Sequence, residues 1–140
     1  MIRIEYTDIN KLAEVANKII ERASHMRIWA FYGEMGVGKT TLIAELARQL
    51  GATTIVSSPT FAIVNEYQLL NDEKIYHFDF YRLANLNEVF DIGLDEYLAS
   101  GHYCFMEWPE VAEPILQQYS FLKLLLEQNE KGNRYITINV

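Results

Sequence analysis

The chain has 140 residues, of which 50% are hydrophobic, and we expect residues 1–140 to form a single domain with a buried core. Acidic side chains outnumber basic ones by 19 to 12, and the formal net charge of −7 argues against a protein that grips nucleic acid by itself. One cysteine, Cys104, excludes an internal disulfide and is typical of the reducing cytosol. Neither a long apolar run nor a signal-peptide core is visible, which predicts a cytoplasmic protein with no membrane partner.

The first part of the chain predicts a strand, a helix and a second strand. Residues 1–7 have the character of a short strand, and Thr7 or Asp8 is suited to cap a helix over residues 10–22. Residues 27–33 are nearly all apolar, which is typical of a central parallel strand that is covered on both faces.

The middle of the chain predicts a helix, a hairpin and a bent helical segment. The helix spans residues 39–51 and ends at a glycine. Two strands, residues 62–69 and 74–82, flank a polar turn and predict a hairpin. Residues 86–100 are helical in pattern with a bend near Gly93, and residues 103–108 form another apolar strand.

The last part predicts a short helix and two strands. Residues 111–119 have helical character, although Pro114 is awkward inside a helix. Residues 120–128 and 134–140 predict strands that are joined by a glycine-containing turn. Strands and helices therefore alternate, which predicts an α/β fold with a mostly parallel central sheet, helices on both faces and antiparallel edge strands.

The strongest chemical signal is GEMGVGKT at residues 33–40, which matches the G-x-x-x-x-G-K-[ST] pattern of a phosphate-binding P-loop. An apolar strand enters this loop and a helix leaves it, as a P-loop requires. Its glycines let backbone N–H groups converge on an anion, and the helix N-terminus adds a positive dipole end. Lys39 is placed to reach the β- and γ-phosphates and Thr40 to bind Mg²⁺, which predicts a nucleotide polyphosphate as ligand. The predicted nucleotide-binding residues are Gly33, Glu34, Met35, Gly36, Val37, Gly38, Lys39, Thr40 and Thr41.

Two acidic residues are candidates for the second carboxylate that a P-loop enzyme uses near its metal. Glu107 ends the apolar strand, and Asp79 alternates with His77 and Tyr81 along another strand. Ligands gather beyond the carboxyl ends of strands in open α/β sheets, so either acid is suitably placed. Alternatively, Glu107 is only an acid at a helix start, and Asp79 only pairs with Arg82 or His77.

Two further residues are weaker candidates. Thr60 lies in SSPTF, residues 57–61, where a loop threonine could sense a γ-phosphate or simply belong to an ordinary turn. Trp108 follows Glu107, and its place at a strand end permits contact with a nucleotide or a partner as well as burial in the core.

The sequence resembles the TsaE (YjeE) family of bacterial P-loop ATPases in four motifs. In chain order these are GEMGVGKTT, SSPTFAIVNEY, YHFDFYRL and MEWPE. The resemblance implies a subunit that binds and hydrolyses ATP in tRNA threonylcarbamoyladenosine biosynthesis. It would assist TsaD-like and TsaB-like partners, which transfer a threonylcarbamoyl group to the adenosine next to the anticodon. tRNA would then be contacted only indirectly, through the complex.

The resemblance also implies roles for individual residues. Lys39 and the loop would bind phosphates, and Thr40 and Glu107 would be linked to Mg²⁺. Asp79 would be catalytic or metal-linked. The remaining implied positions are Thr60 in a switch-like loop, a functionally important Trp108, and Tyr81 and Arg82 as residues that hold Asp79 or meet a partner.

Three alternatives remain open at the level of sequence. A small P-loop kinase would phosphorylate a metabolite, but the chain is short for an acceptor domain and its arginines are scattered. A GTPase would require an N-K-x-D motif, which the sequence lacks. A nucleotide-sensing module without catalysis would bind the same partners and the same nucleotide.

We predict that the purified chain binds tRNA weakly or not at all at physiological ionic strength, because its charge repels phosphates. Filter binding over a salt series, with a basic RNA-binding domain as positive control, measures this. Tight binding that weakens with added salt would contradict the prediction.

Overall fold

One eight-stranded sheet organises the part of the chain that the computed structural model describes, residues 1–55 and 63–139. Its strands are β1 (Ile2–Tyr6), β2 (Ile28–Tyr32), β3 (Thr54–Ile55), β4 (Val64–Gln68), β5 (Lys74–Asp79), β6 (Tyr103–Glu107), β7 (Leu122–Gln128) and β8 (Arg134–Asn139). Their order across the sheet is β1-β8-β7-β2-β6-β5-β4-β3. The α-helices are α1 (Leu12–Ala23), α2 (Lys39–Gln49), α3 (Leu86–Asp91), α4 (Leu94–Leu98) and α5 (Glu113–Leu116). Short 3-10 turns occupy Ile9–Lys11, Leu70–Asp72 and Pro109–Ala112.

The centre of the sheet is parallel and its edges are antiparallel. Strand β2 pairs in parallel with β6 and β7, and β5 pairs in parallel with β6. The other four of the seven described pairings are antiparallel and lie towards the two edges of the sheet, in agreement with the predicted parallel centre and antiparallel edge strands. The physical reason is that β4 and β5, and β7 and β8, are joined by short turns, which permit only antiparallel pairing.

Helices cover both faces of the sheet, as the sequence predicts. All five residues of β2 and all five of β6 are buried. On one face, Trp29 and Phe105 pack with ring centroids 4.8 Å apart beneath α1 and α2. On the other face, Met106 packs in a cluster with residues of α3, α4 and α5. In the described part of the chain, no helix is long and apolar enough to cross a membrane.

Three local signals account for the helix boundaries. The Asp8 carboxylate accepts a hydrogen bond from the Asn10 N–H at 2.9 Å and starts a 3-10 turn, so α1 begins two residues later than predicted. Gly93, with φ of 75°, separates α3 from α4 at the predicted bend. Pro114 is the second residue of α5, where the missing N–H is not needed for an intrahelical bond.

We predict that Cys104 is unreactive in the folded chain. Its thiol is fully buried in β6, and burial raises its pKa to about 12. The thiolate is the reactive form, and its fraction at pH 8 falls by roughly three orders of magnitude. A disulfide reagent that reacts at the same rate with the folded and the urea-unfolded chain would contradict this prediction.

Candidate functional site

The glycine-rich loop and both candidate acids lie together at the carboxyl ends of central strands. Phe31 pairs with Glu107 in the parallel ladder of β2 and β6, and Asp79 pairs with Glu107 in the ladder of β5 and β6. The loop begins at Gly33, directly after β2, and leads into α2 at Lys39. Parallel register therefore brings the carboxyl ends of three strands together beside the start of a helix.

Two glycines of the loop occupy positions that a side chain would disturb. At Gly33, with φ of 153°, an added Cβ would lie 2.8 Å from the carbonyl oxygen of Leu126. At Gly38, with φ of 104°, it would lie 2.9 Å from Nη1 of Arg134. The loop therefore packs closely against the backbone of β7 at Gly33, and the positive φ at both positions favours glycine.

A cavity of about 260 Å³ lies between the loop and the strand ends. It is lined by Met35, Gly36, Gly38, Lys39, Thr40, Thr41, Asp79, Tyr81, Glu107 and Trp108. A neighbouring cavity of about 480 Å³ is bordered by the predicted loop residues Gly33, Glu34, Met35 and Val37 and by the end of β7. Arg82 is exposed and lines neither of these cavities, and Thr60 lies outside the described residues.

The Lys39 ammonium lies inside the site. Its Nζ donates to the carbonyl oxygen of Gly33 and, at 3.5 Å, to that of Glu34. It also lies 3.6 Å from the centre of the Trp108 ring, a cation–π contact. Burial lowers the pKa of Lys39, while the negative charges of Glu107, Glu110 and Asp79 oppose that shift. Backbone carbonyls, an aromatic ring and nearby carboxylates therefore stabilise the buried Lys39 ammonium beside the loop.

Glu107 is a buried carboxylate with a polar partner at each oxygen. The Thr40 hydroxyl donates to its Oε1 at 2.8 Å, and its Oε2 lies 2.6 Å from Nε2 of His77. Burial raises the pKa of Glu107, but the hydrogen bonds and charges of His77, Thr40 and Lys39 together bring it below its ordinary value. Glu107 is therefore ionised at neutral pH, and its orientation is defined from both sides.

Asp79 differs from Glu107 in exposure and in partners. It is exposed, and its Oδ1 accepts a hydrogen bond from the Tyr81 backbone N–H at 3.0 Å. In the described part of the chain it forms no ion pair with Arg82, and His77 contacts Glu107 instead. The two ion-pair partners that the sequence suggested for a structural Asp79 therefore do not contact it in the described part of the chain.

The donor set suits Mg²⁺ bound together with a phosphorylated ligand. Among the described residues no group of three or more His, Cys, Asp or Glu side chains forms a ready metal cage. Mg²⁺ usually takes one or two carboxylates plus phosphate and water oxygens. Thr40 and Glu107 are already in contact, and Asp79 lies on the adjacent strand, so these oxygens fit such an ion.

Trp108 has a strained backbone at the rim of the site. Its φ of 54° and ψ of 54° are left-handed, which is uncommon for a bulky residue. It immediately precedes Pro109, which starts a 3-10 turn. Its ring lies 5.0 Å from that of Tyr81, between centroids, so the two aromatic side chains form one wall of the cavity. Strain of this kind often occurs at functional sites.

Two site features were not predicted from the sequence. His77 was considered only as a pairing partner of Asp79, whereas it contacts Glu107; the alternation of His77 and Asp79 along β5 was the available signal. The second feature is Arg134, whose guanidinium reaches the loop at Gly38. Arg134 belongs to the last strand, and no local pattern connects that strand with the loop.

Comparisons with known proteins identify the family of the chain. The family described as Threonylcarbamoyl adenosine biosynthesis protein TsaE matches residues 6–136. The chain therefore belongs to the TsaE family, as the sequence motifs predict. Over 131 residues it is 32% identical to the tRNA threonylcarbamoyladenosine biosynthesis protein TsaE of Treponema pallidum, covering 94% of this chain and 93% of that protein.

Other relatives are matched over part of their length. The Bacillus subtilis protein of the same name is 40% identical over 107 residues, which cover 75% of this chain and 64% of the relative. The Haemophilus influenzae protein is 38% identical over 90 residues, which cover 64% of this chain and 56% of the relative. The chain therefore matches less than two thirds of the length of these two relatives.

A solved structure supports the fold. The crystal structure of Bacillus subtilis YdiB superposes with a TM-score of 0.71 and 24% identity, covering 98% of this chain and 83% of that one. This likeness confirms the mixed α/β architecture.

We predict that Trp108→Gly is more stable than Trp108→Ala by about 1 kcal/mol. Both variants lose the ring, but alanine retains the cost of a left-handed backbone. Urea unfolding measures the difference. Tyr81→Gly and Tyr81→Ala are the matched controls, because Tyr81 contacts the same ring without a positive φ, and there alanine should be the more stable. An alanine variant of Trp108 as stable as the glycine variant would contradict the prediction.

Proposed function

We propose that residues 1–140 form a single cytoplasmic P-loop ATPase domain that supports a threonylcarbamoyl-transferring complex acting on tRNA. Membership of the TsaE family supports the pathway. The observation that carries the ATPase assignment is one cavity in which Lys39 and the Thr40–Glu107 pair meet at the start of α2. The partners would be TsaD-like and TsaB-like proteins that transfer the group to the adenosine next to the anticodon.

ATP binding would use the loop backbone, the helix N-terminus and Lys39. The polyphosphate would lie against the N–H groups of residues 36–41, where an eleven-residue helix directs its positive end into the cavity. Lys39 would exchange the Gly33 carbonyl and the Trp108 ring for phosphate oxygens. Because its ammonium is already in the cavity, this exchange needs only a change of side-chain rotamer.

Glu107 and Asp79 would have different roles in hydrolysis. Thr40 and Glu107 would hold Mg²⁺, which when bound offsets the charge of the β- and γ-phosphates. Asp79 is exposed to the cavity, with one oxygen anchored by the Tyr81 N–H. Its other oxygen is suited to orient a water molecule and accept its proton.

The arrangement supports slow hydrolysis by the isolated chain. No arginine is among the residues that line the cavity beside Lys39 in the described part of the chain. The Arg134 guanidinium approaches the loop at Gly38 but does not line this cavity. A partner could therefore supply a further cation for the charge that develops on the transferred phosphoryl group. Because the net charge is −7, tRNA would be held by partners rather than by this subunit.

We predict that Lys39→Ala, Asp79→Ala and Glu107→Ala each impair tRNA modification in a system reconstituted with the partner proteins. Loss of the Lys39 cation or of a Mg²⁺ ligand weakens the stabilisation of transition-state charge, which costs about 100- to 1000-fold in rate. Loss of Asp79 as a general base costs about 100- to 10,000-fold. Lys18→Ala, which removes an exposed lysine of α1, is the matched control and should keep full activity. ATPase assays with and without partners should show stimulation.

Other outcomes would exclude this function. Unimpaired modification by Lys39→Ala would contradict the phosphate-binding role. Unchanged ATP turnover on addition of the partners would contradict the proposed stimulation. Phosphoryl transfer to a metabolite would identify a kinase, and modification that requires ATP binding but no hydrolysis would identify a nucleotide sensor.

A further inference from the structure

His77 belongs to a small buried polar cluster in the described part of the chain. Buried polar or charged side chains there are Lys39 at 5% exposure, His77 at 5% and Glu107 at 4%. All three meet at the site, although His77 is not among the residues that line its cavity. Because His77 is buried and contacts Glu107 without lining the cavity, its position is suited to orient Glu107 rather than to bind a ligand.

The sheet register places His77 diagonally behind Glu107. His77 on β5 is opposite Phe105 on β6, and Glu107 is two residues further along β6 on the same face. Diagonal neighbours on adjacent strands are within reach of long side chains. Nε2 of His77 contacts Oε2 of Glu107 at 2.6 Å, while Oε1 receives the Thr40 hydroxyl. The carboxylate is thus held between a strand and the first turn of α2.

The imidazole ring is itself held in place. It stacks on Tyr67, with ring centroids 6.3 Å apart and planes 22° from parallel. Its other nitrogen, Nδ1, is buried and has no hydrogen-bond partner among the described residues. Burial of an unpaired nitrogen costs free energy, which an apolar side chain would avoid. The contact with Glu107 is the evident reason for a histidine at this position.

We propose that His77 is a positioning residue for Glu107. Its Nε2–H donates to Oε2 and fixes the carboxylate so that Oε1 faces Thr40. This inference rests on the proposed function, in which Glu107 and Thr40 hold Mg²⁺ beside the nucleotide. Side chains that support metal ligands in this way typically affect metal affinity or activity about 10- to 100-fold.

Two substitutions separate the hydrogen bond from the packing. His77→Met preserves much of the volume and removes the donor, whereas His77→Gln offers an amide N–H near the position of Nε2. Isothermal titration of ADP over a series of Mg²⁺ concentrations measures how much Mg²⁺ half-maximal tight binding requires. We expect this concentration to rise about 10- to 100-fold in His77→Met and to stay within a few-fold of wild type in His77→Gln. ADP binding in EDTA should be unchanged.

His25→Met is the matched control, because His25 is exposed and its loss should not alter the Mg²⁺ requirement. Equal Mg²⁺ requirements in wild type and His77→Met would overturn the proposal. Equal losses in His77→Met and His77→Gln would also overturn it, because packing rather than the donor would then be responsible.

A second measurement needs neither nucleotide nor metal. In ¹⁵N-labelled wild-type protein, the imidazole nitrogen signals of His77 should show a hydrogen bonded to Nε2, with assignment by their loss in His77→Gln. A bare Nε2 would overturn the proposal even if His77→Met does not fold. If wild type fails to bind ADP at all, the proposed function is wrong, and the NMR result still decides whether His77 is the donor.

Discussion

The parallel pairing of β6 with β2 and β5 is the constraint on which the site depends. It sets Phe31, Glu107 and Asp79 side by side, so the loop after β2 and the two carboxylates lie together at the carboxyl ends of these strands. The apolar residues of β2 and β6 are buried on both faces, which stabilises this register. A shift of one residue would turn Glu107 to the opposite face of the sheet, away from α2.

The charged groups at these strand ends also stabilise one another. Glu107 is buried, and an isolated carboxylate there would be costly, but Thr40, His77 and Lys39 compensate for its charge. Lys39 is buried for a related reason, since carbonyls, an aromatic ring and three acidic residues surround its ammonium. The groups therefore depend on one another, and a ligand that engages Lys39 changes the environment of Glu107. Membership of the TsaE family supports the proposed role of this arrangement in tRNA threonylcarbamoyladenosine biosynthesis.

Much of the fold follows from local patterns. The apolar runs predict β2 and β6, the glycine pattern predicts the loop and the start of α2, and Gly93 predicts the break between α3 and α4. The β1–β8 and β3–β4 pairings could not be predicted, because strand character alone does not state which neighbour a strand acquires. Pro114 illustrates the same limit, since its acceptability depends on where α5 begins.

The sequence by itself determined the chemistry available to this protein: a glycine-rich loop with the P-loop pattern, a lysine, a threonine and two acids, each identifiable from neighbouring residues. Only the tertiary structure decided how they are arranged. It buries Glu107 and leaves Asp79 exposed, and it joins His77 to Glu107 rather than to Asp79. It also brings Arg134 to the loop. The physical reason is that register and helix packing act between segments far apart in the chain, whereas motifs report only the geometry of adjacent residues.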